Sequence, residues 1–356
     1  MKAPFPYFGG KRRVASEVWA AIGDVDNYVE PFAGSMAVLL ERPTDHAAKA
    51  ETVNDADCYL SNFWRALKAD PDALAEHCDW PVNECDLLAR HLWLVEHGRK
   101  RIESMEADPD FYDAKVAGWW VWGINAWIGS GWCQGNGPWR AVDGKVVLTD
   151  GRGVNRTRPH LSNAGRGVNR NLPHLGSAGQ GVNDASEQPF THGGGCDPKR
   201  YMWDTSLCRD GEPPVYGYFR ALAARLRRVR VCCGDWSRVV THGALAYGDT
   251  VGVFLDPPYL GDVRMKDLYR VDNHDIANAA REWCIANGDN PRYRIVLAGY
   301  ESEHAEKMPA TWRVHAYSAN AAYQTTAGGG DNAANRHNER LWFGPNCLNP
   351  EPLMFA

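Results

Sequence analysis

Two short apolar stretches with a helix-patterned segment between them constrain this chain more than any other feature. "NYVEPF" (27–32) reads as a strand, "GSMAVLLERP" (34–43) as a helix closed by Pro43, and "KAETVND" (49–55) as a second strand. Strand, helix and strand within about thirty residues is the size of one βαβ unit, and a crossover of that length makes its two strands parallel. A further helix precedes the unit: in "KRRVASEVWAAI" (11–22), Val14, Val18, Trp19 and Ile22 recur at helical spacing after a Gly-Gly turn.

The same alternation returns in the last third. "PVYGYFRALAARLRRVRVCCGDW" (214–236) places Tyr216, Phe219, Leu222, Leu226 and Val229 on one helix face and then turns strand-like at "VRVCCGD". "DTVGVFLD" (249–256) and "YRIVLAGY" (293–300) read as strands around a helix near 274–287, and "WRVHAYSA" and "ERLWFGP" close the chain as strands. The predicted fold class is α/β, a doubly wound, mostly parallel sheet.

The middle is different. Residues 57–128 are patterned as helices, with tryptophans at three- and four-residue spacings that suit core packing. Residues 129–213 are loaded with Gly, Asn, Pro and Ser, and they contain a repeat of 14 residues: "GRGVNRTRPHLSNA" (151–164), "GRGVNRNLPHLGSA" (165–178), then a truncated "GQGVND" (179–184). Its glycines and prolines exclude a continuous helix, so a turn-rich or short-strand insertion is expected. At 356 residues the chain exceeds what one core usually organises. The expected division is a catalytic domain from 1–70 and 214–356, and a helical region plus a repeat-containing, target-recognising insertion from 71–213.

Charge is unevenly distributed along the chain. The formal net charge is -5, yet 13 Lys or Arg stand against 6 Asp or Glu between residues 151 and 230. A polyanion responds to that local excess rather than to the total. The ten cysteines form no C-x-x-C pair and have no matching histidine spacing, so no metal site is expected and free thiols in a reducing compartment are. "MKAPFPYFGGKRR" has no apolar signal-peptide region, and no window reaches membrane-spanning length, so the expected location is the cytoplasm, with no membrane partner.

Ligands of open α/β sheets bind beyond the carboxyl ends of the strands. Four segments stand there: "EPFAGS", "ND", "GDW" and "DPPY". "VEPFAGS" has one close-approach glycine, Gly34, and not the G-x-G-x-x-G that cradles a pyrophosphate. Asp55, about twenty residues further on, stands where an acid accepts hydrogen bonds from ribose hydroxyls. A nucleoside without phosphates points to S-adenosylmethionine. Each residue also has a plain structural reading: an ordinary turn at "EPFAGS", a helix cap at Asp55 or Asp235, a solvated Lys11.

In "FLDPPYLG" (254–261), Pro257 lacks an amide hydrogen and Pro258 restricts the residue before it, so the backbone after Asp256 is stiff. The Asp256 carboxylate and the Pro257 carbonyl then form a fixed pair of acceptors, with the Tyr259 ring beside them. Such a pair suits an exocyclic amine on a base. Its lone pair is delocalised into the ring, and holding both N–H bonds turns that pair toward an electrophilic methyl group. A base reaches such a pocket only outside the duplex stack. A rigid strand-ending turn is the structural alternative.

Taken together these residues resemble the Dam-type, α-group DNA adenine N6-methyltransferases: "PFPYFGGKRR", "VEPFAGS", "VNDAD", "CCGDW" and "DPPY" stand in the family order, and "ERLWF" is similar to its last strand. The resemblance covers roughly 3–70 and 214–345. It implies a methyltransferase of bacterial or phage type, such as those of restriction-modification systems, that uses S-adenosylmethionine and double-stranded DNA. Tyr7, Phe8, Lys11, Glu30, Pro31, Phe32, Gly34, Asp55, Asp235, Trp236 and Asp256 would hold the cofactor. Asp256, Pro257, Pro258 and Tyr259 would hold the target adenine. The repeats match no reader of the family residue by residue, but they offer Arg152, Arg156, Arg158, Arg166 and Arg170 for phosphates or guanine and Asn155 and Asn169 for adenine. Two other readings stand beside this one: the same chemistry on RNA adenine or cytosine N4, and a methyltransferase fold that only binds DNA.

Overall fold

The computed structural model describes residues 1–5, 7, 11–46, 49–108, 110–127, 132–133, 139–143, 145–148, 207–258, 273–317 and 339–349. The repeats, Phe8 and Tyr259 lie outside these described residues.

The expected α/β architecture is present. After a turn of 3-10 helix at Arg12–Val14 come α1 (Ala15–Ile22), β1 (Asn27–Glu30), α2 (Ala37–Leu40), β2 (Ala50–Asp55) and α3 (Cys58–Ala69). A helical stretch follows with α4 (Pro71–Cys78), α5 (Glu84–Trp93), α6 (Arg99–Ile102) and α7 (Ala114–Ala126), then a hairpin of β3 (Trp139–Val142) and β4 (Lys145–Leu148). The chain returns through α8 (Pro214–Leu226), β5 (Val229–Cys233), β6 (Val251–Leu255), α9 (Asn273–Asn287), β7 (Tyr293–Tyr300), α10 (Glu301–His304), β8 (Arg313–Ala316) and β9 (Glu339–Phe343).

Seven strands form one sheet in the order β5-β2-β1-β6-β7-β9-β8. β1 lies parallel between β2 and β6, with Glu30 opposite Val53 and Val29 opposite Val253. Only β9 runs against its neighbours β7 and β8. The strand order reverses between β1 and β6, and a crevice opens at such a switch point beyond the strand ends. All residues of β1 and β6 are buried; β6 accordingly reads as an unbroken apolar run, whereas β1 carries two polar residues, Asn27 and Glu30, at its ends.

Local chemistry explains where the elements differ from their sequence patterns. α2 is one turn long because Gly34 (φ 48°) and Met36 (φ 57°) are left-handed and delay the helix until Ala37. On α8 the buried face is Val215, Tyr218, Phe219, Leu222 and Leu226; Tyr216 is half-buried and Val229 opens β5. Trp120 and Trp122 of α7 are buried, while Trp119, three residues before Trp122, is half-buried.

The helical stretch shares a core with the sheet. Phe63, Leu67, Leu74, Val116, Trp120, Phe219 and Leu222 join Val38, Leu39 and Val53 in one cluster. The N-terminal arm is threaded into it. Phe5 meets Phe63 and Trp120 edge-on at 5.3 and 5.0 Å, the Lys2 carbonyl accepts from the Tyr218 hydroxyl at 2.7 Å, and the Pro4 carbonyl accepts from Asn125 Nδ2 at 3.3 Å. These contacts fix the segment that carries Tyr7 and Lys11.

Candidate functional site

Acidic side chains gather at the switch point because β1, β2 and β6 end together. Glu30 is the last residue of β1, Asp55 the last of β2, and Asp256 follows β6 directly. Burying carboxylates in this way is unfavourable unless hydrogen bonds or cations compensate.

Glu30 is buried and accepts from the Tyr28 hydroxyl at 3.0 Å. Burial, opposed by that hydrogen bond and reinforced by the charges of Asp256 and Asp55, raises its pKa to about 8. Asp55 accepts from the Gly34 amide at 2.9 Å and from the Asp57 amide at 3.0 Å. Burial still pushes its pKa up. The cap of α3 belongs to Asp57, which accepts from the Tyr59 amide at 2.9 Å and whose pKa burial and the neighbouring Asp55 raise to about 6. Asp55 therefore braces the glycine turn instead of starting the helix.

Gly34 has two reasons to be glycine. Its φ is 48°, and an added Cβ would lie 2.5 Å from Tyr7 Cδ1. The Tyr7 ring thus rests on the turn between β1 and α2.

Asn54 ties two sides of the crevice together. Its side-chain amide donates to the Pro31 carbonyl after β1 and to the Gly234 carbonyl after β5, both at 3.0 Å. Its Oδ1 is buried without a hydrogen-bond partner. The bridged loops carry Phe32 and Trp236, two buried rings 5.6 Å apart and inclined by 30°. Asp235, between them in sequence, is exposed and caps the following 3-10 turn by accepting from the Ser237 amide at 2.9 Å.

Lys11 is the cation of the site. Its side chain is only 4% exposed, and its ammonium lies 3.1 Å from Asp256 Oδ1 and 3.8 Å from Glu339 Oε2. It is not the solvated surface lysine that "GGKRR" equally permits. Pro257 is buried and Pro258 half-buried behind Asp256.

Tyr7, Lys11, Glu30, Pro31, Phe32, Gly34, Asp55, Trp236 and Asp256 are thus distributed around the ends of β1, β2, β5 and β6. Phe8, Tyr259, Arg152, Asn155, Arg156, Arg158, Arg166, Asn169 and Arg170 lie outside the described residues. Glu339 and Asn54 were not singled out from the sequence. Among the described residues the arrangement sets buried carboxylates and the Lys11 ammonium at the strand ends that also carry two apolar rings, chemistry suited to a cationic ligand that also has a flat ring. Among the described residues no group of three or more His, Cys, Asp or Glu could hold a metal ion, and no helix is long and apolar enough to cross a membrane.

Residues 7–86 match the family model described as D12 class N6 adenine-specific DNA methyltransferase. The matched segment runs from Tyr7 through Lys11, the glycine turn and Asp55 to the start of α5, and over it the family resemblance read from the motifs is borne out. No curated protein matches the chain.

Proposed function

We propose, with the D12 match over residues 7–86 as premise, that this protein transfers a methyl group from S-adenosylmethionine to the N6 amine of a flipped-out adenine in double-stranded DNA. The observation that carries the reading is the Lys11–Asp256 ion pair of 3.1 Å. It joins the N-terminal motif to "DPPY" across the switch point, so two segments 245 positions apart act as one site.

The residues fit the cofactor. A sulfonium and an ammonium group call for acids, a ribose for acceptors, and an adenine ring for apolar walls without a phosphate cradle. Glu30 and Asp55 supply the acids, and Phe32 and Trp236 supply the wall. When bound, S-adenosylmethionine supplies an electrophilic methyl group.

Asp256 and the Pro257 carbonyl receive the two N–H bonds of the adenine amine and orient its lone pair; Lys11 holds the Asp256 carboxylate in place for that role. S-adenosylmethionine would supply the methyl group and retain the electrons of its broken sulfur–carbon bond, and Asp256 or water would take the extra proton from N6. Tyr259 is assigned the stacking face beside the base by its place in the motif. Residues 1–70 and 214–356 are assigned this chemistry, and 71–213 target recognition.

The test is nucleoside mass spectrometry of DNA incubated with the protein and S-adenosylmethionine. N6-methyladenine is expected; N4-methylcytosine alone would reassign the base, and absence of any methylated base would sink the reading. Asp256→Ala should abolish turnover.

A further inference from the structure

Glu339 enters the site by an unusual route. Ligand-binding residues of a parallel sheet stand after their strands, but β9 is reversed, so its first residue, opposite Tyr300 at the end of β7, reaches the same edge. Glu339 is itself buried, and its Oε2 is 3.8 Å from the Lys11 ammonium that sits 3.1 Å from Asp256 Oδ1.

We propose that Glu339 is a positioning residue for the transfer step, acting through Lys11 by sharing its ammonium with Asp256. The proposal rests on the methyltransferase reading above. Attraction falls as the inverse of distance, so the pull of Glu339 on Lys11 is about four-fifths that of Asp256 in the same medium. Neither carboxylate holds the ammonium alone. The ammonium lies within ion-pair distance of both acids, and their combined attraction sets the direction from which Lys11 meets Asp256. A lysine bound by Asp256 alone would settle closer over that carboxylate and compete with the amine for its lone pairs. With Glu339 pulling from β9, Asp256 is aimed without being consumed.

Three variants test this: Glu339→Gln, Glu339→Asp and Glu339→Gln combined with Lys11→Met. Glu339→Gln keeps the shape and removes the charge; its kcat should fall about tenfold or more, as misplaced reacting groups do, while cofactor Kd by calorimetry stays within about twofold. Glu339→Asp, which keeps the charge, should recover part of that kcat. In the Lys11→Met background the glutamine should add little, because the residue it acts through is gone. An unchanged kcat in Glu339→Gln, or losses that simply add in the double variant, would overturn the proposal. Inactive wild-type protein would strike the methyltransferase reading instead, and the inference is then decided by nuclear magnetic resonance of heavy-nitrogen-labelled lysine. The Lys11 ammonium signal, identified by its loss in Lys11→Met, should shift in Glu339→Gln; a signal that does not move overturns the role of Glu339.

Discussion

Glu30 shows how a single residue couples the site to the stability of the whole chain. Its carboxyl is raised from an ordinary 4.5 to about 8, chiefly by burial at the end of β1. The folded protein therefore keeps a proton that the unfolded chain has lost between those two values. By linkage, the state that binds more protons is favoured at low pH, so Glu30 makes folding less favourable as pH rises from about 4.5 to about 8. Asp57, raised to about 6, acts in the same direction over the lower part of that window. Glu30→Gln removes the ionisation but keeps the volume and an acceptor for Tyr28. Thermal denaturation across this range should show a flatter decline for Glu30→Gln than for wild type, the difference reaching up to about 1.4 kcal/mol per pH unit. An identical decline in both proteins would mean that Glu30 ionises freely in the fold. The cationic cofactor should oppose the effect, since a positive charge beside Glu30 favours its ionised form.

At the scale of the element, the site depends on where strands stop and how their loops are tied. β6 was legible in the sequence because burial on both faces gives an unbroken apolar run, β1 as the first strand of a βαβ pattern, and the acids Glu30 and Asp256 could be found by looking at the end of each strand. Asp55 and Gly34 were found by the same rule. The length of α2 was not legible: it depends on left-handed backbone at Gly34 and Met36, and a methionine gives no warning of such a conformation. Glu339 was missed for a topological reason, since a reversed strand brings its first residue to the edge where the others bring their last. Asn54 was missed because its role spans 180 positions, from β2 to the Gly234 carbonyl, and no local pattern records that distance. Asn54→Leu tests the clamp. It leaves the Pro31 and Gly234 carbonyls without their donor, and each such loss costs about 1–3 kcal/mol where the group is buried. Denaturant unfolding should show a loss of about 2 kcal/mol or more, and cofactor affinity should fall with it as Phe32 and Trp236 lose their fixed separation. Unaltered stability would show that the two loops hold their places without the clamp.

The whole molecule sets an acidic site against a basic repeat segment. The carboxylates of β1, β2, β6 and β9 belong to a chain with a formal charge of -5, while the segment from 151 to 230 holds a surplus of Lys and Arg. An acidic chain repels a polyanion at long range unless a positive region meets it first. The repeats, with Arg152 and Arg156 repeated 14 residues on as Arg166 and Arg170, and Arg158 in the first copy alone, are proposed as that region. Arginines that neutralise phosphates release counterions, so binding falls steeply with salt, and the slope reports how many phosphates are neutralised. Removing residues 151–184 should therefore weaken DNA binding, and it should lower the slope of log affinity against log salt by about 0.9 for each phosphate that is no longer neutralised. The proposed cofactor site takes its residues from the segments flanking the insertion, so calorimetric binding of S-adenosylmethionine should be unchanged. A deletion that leaves both DNA affinity and its salt slope intact would refute the role of the repeats. It would move the search for the DNA-binding surface to the helical stretch between α4 and α7, which shares its core with the sheet.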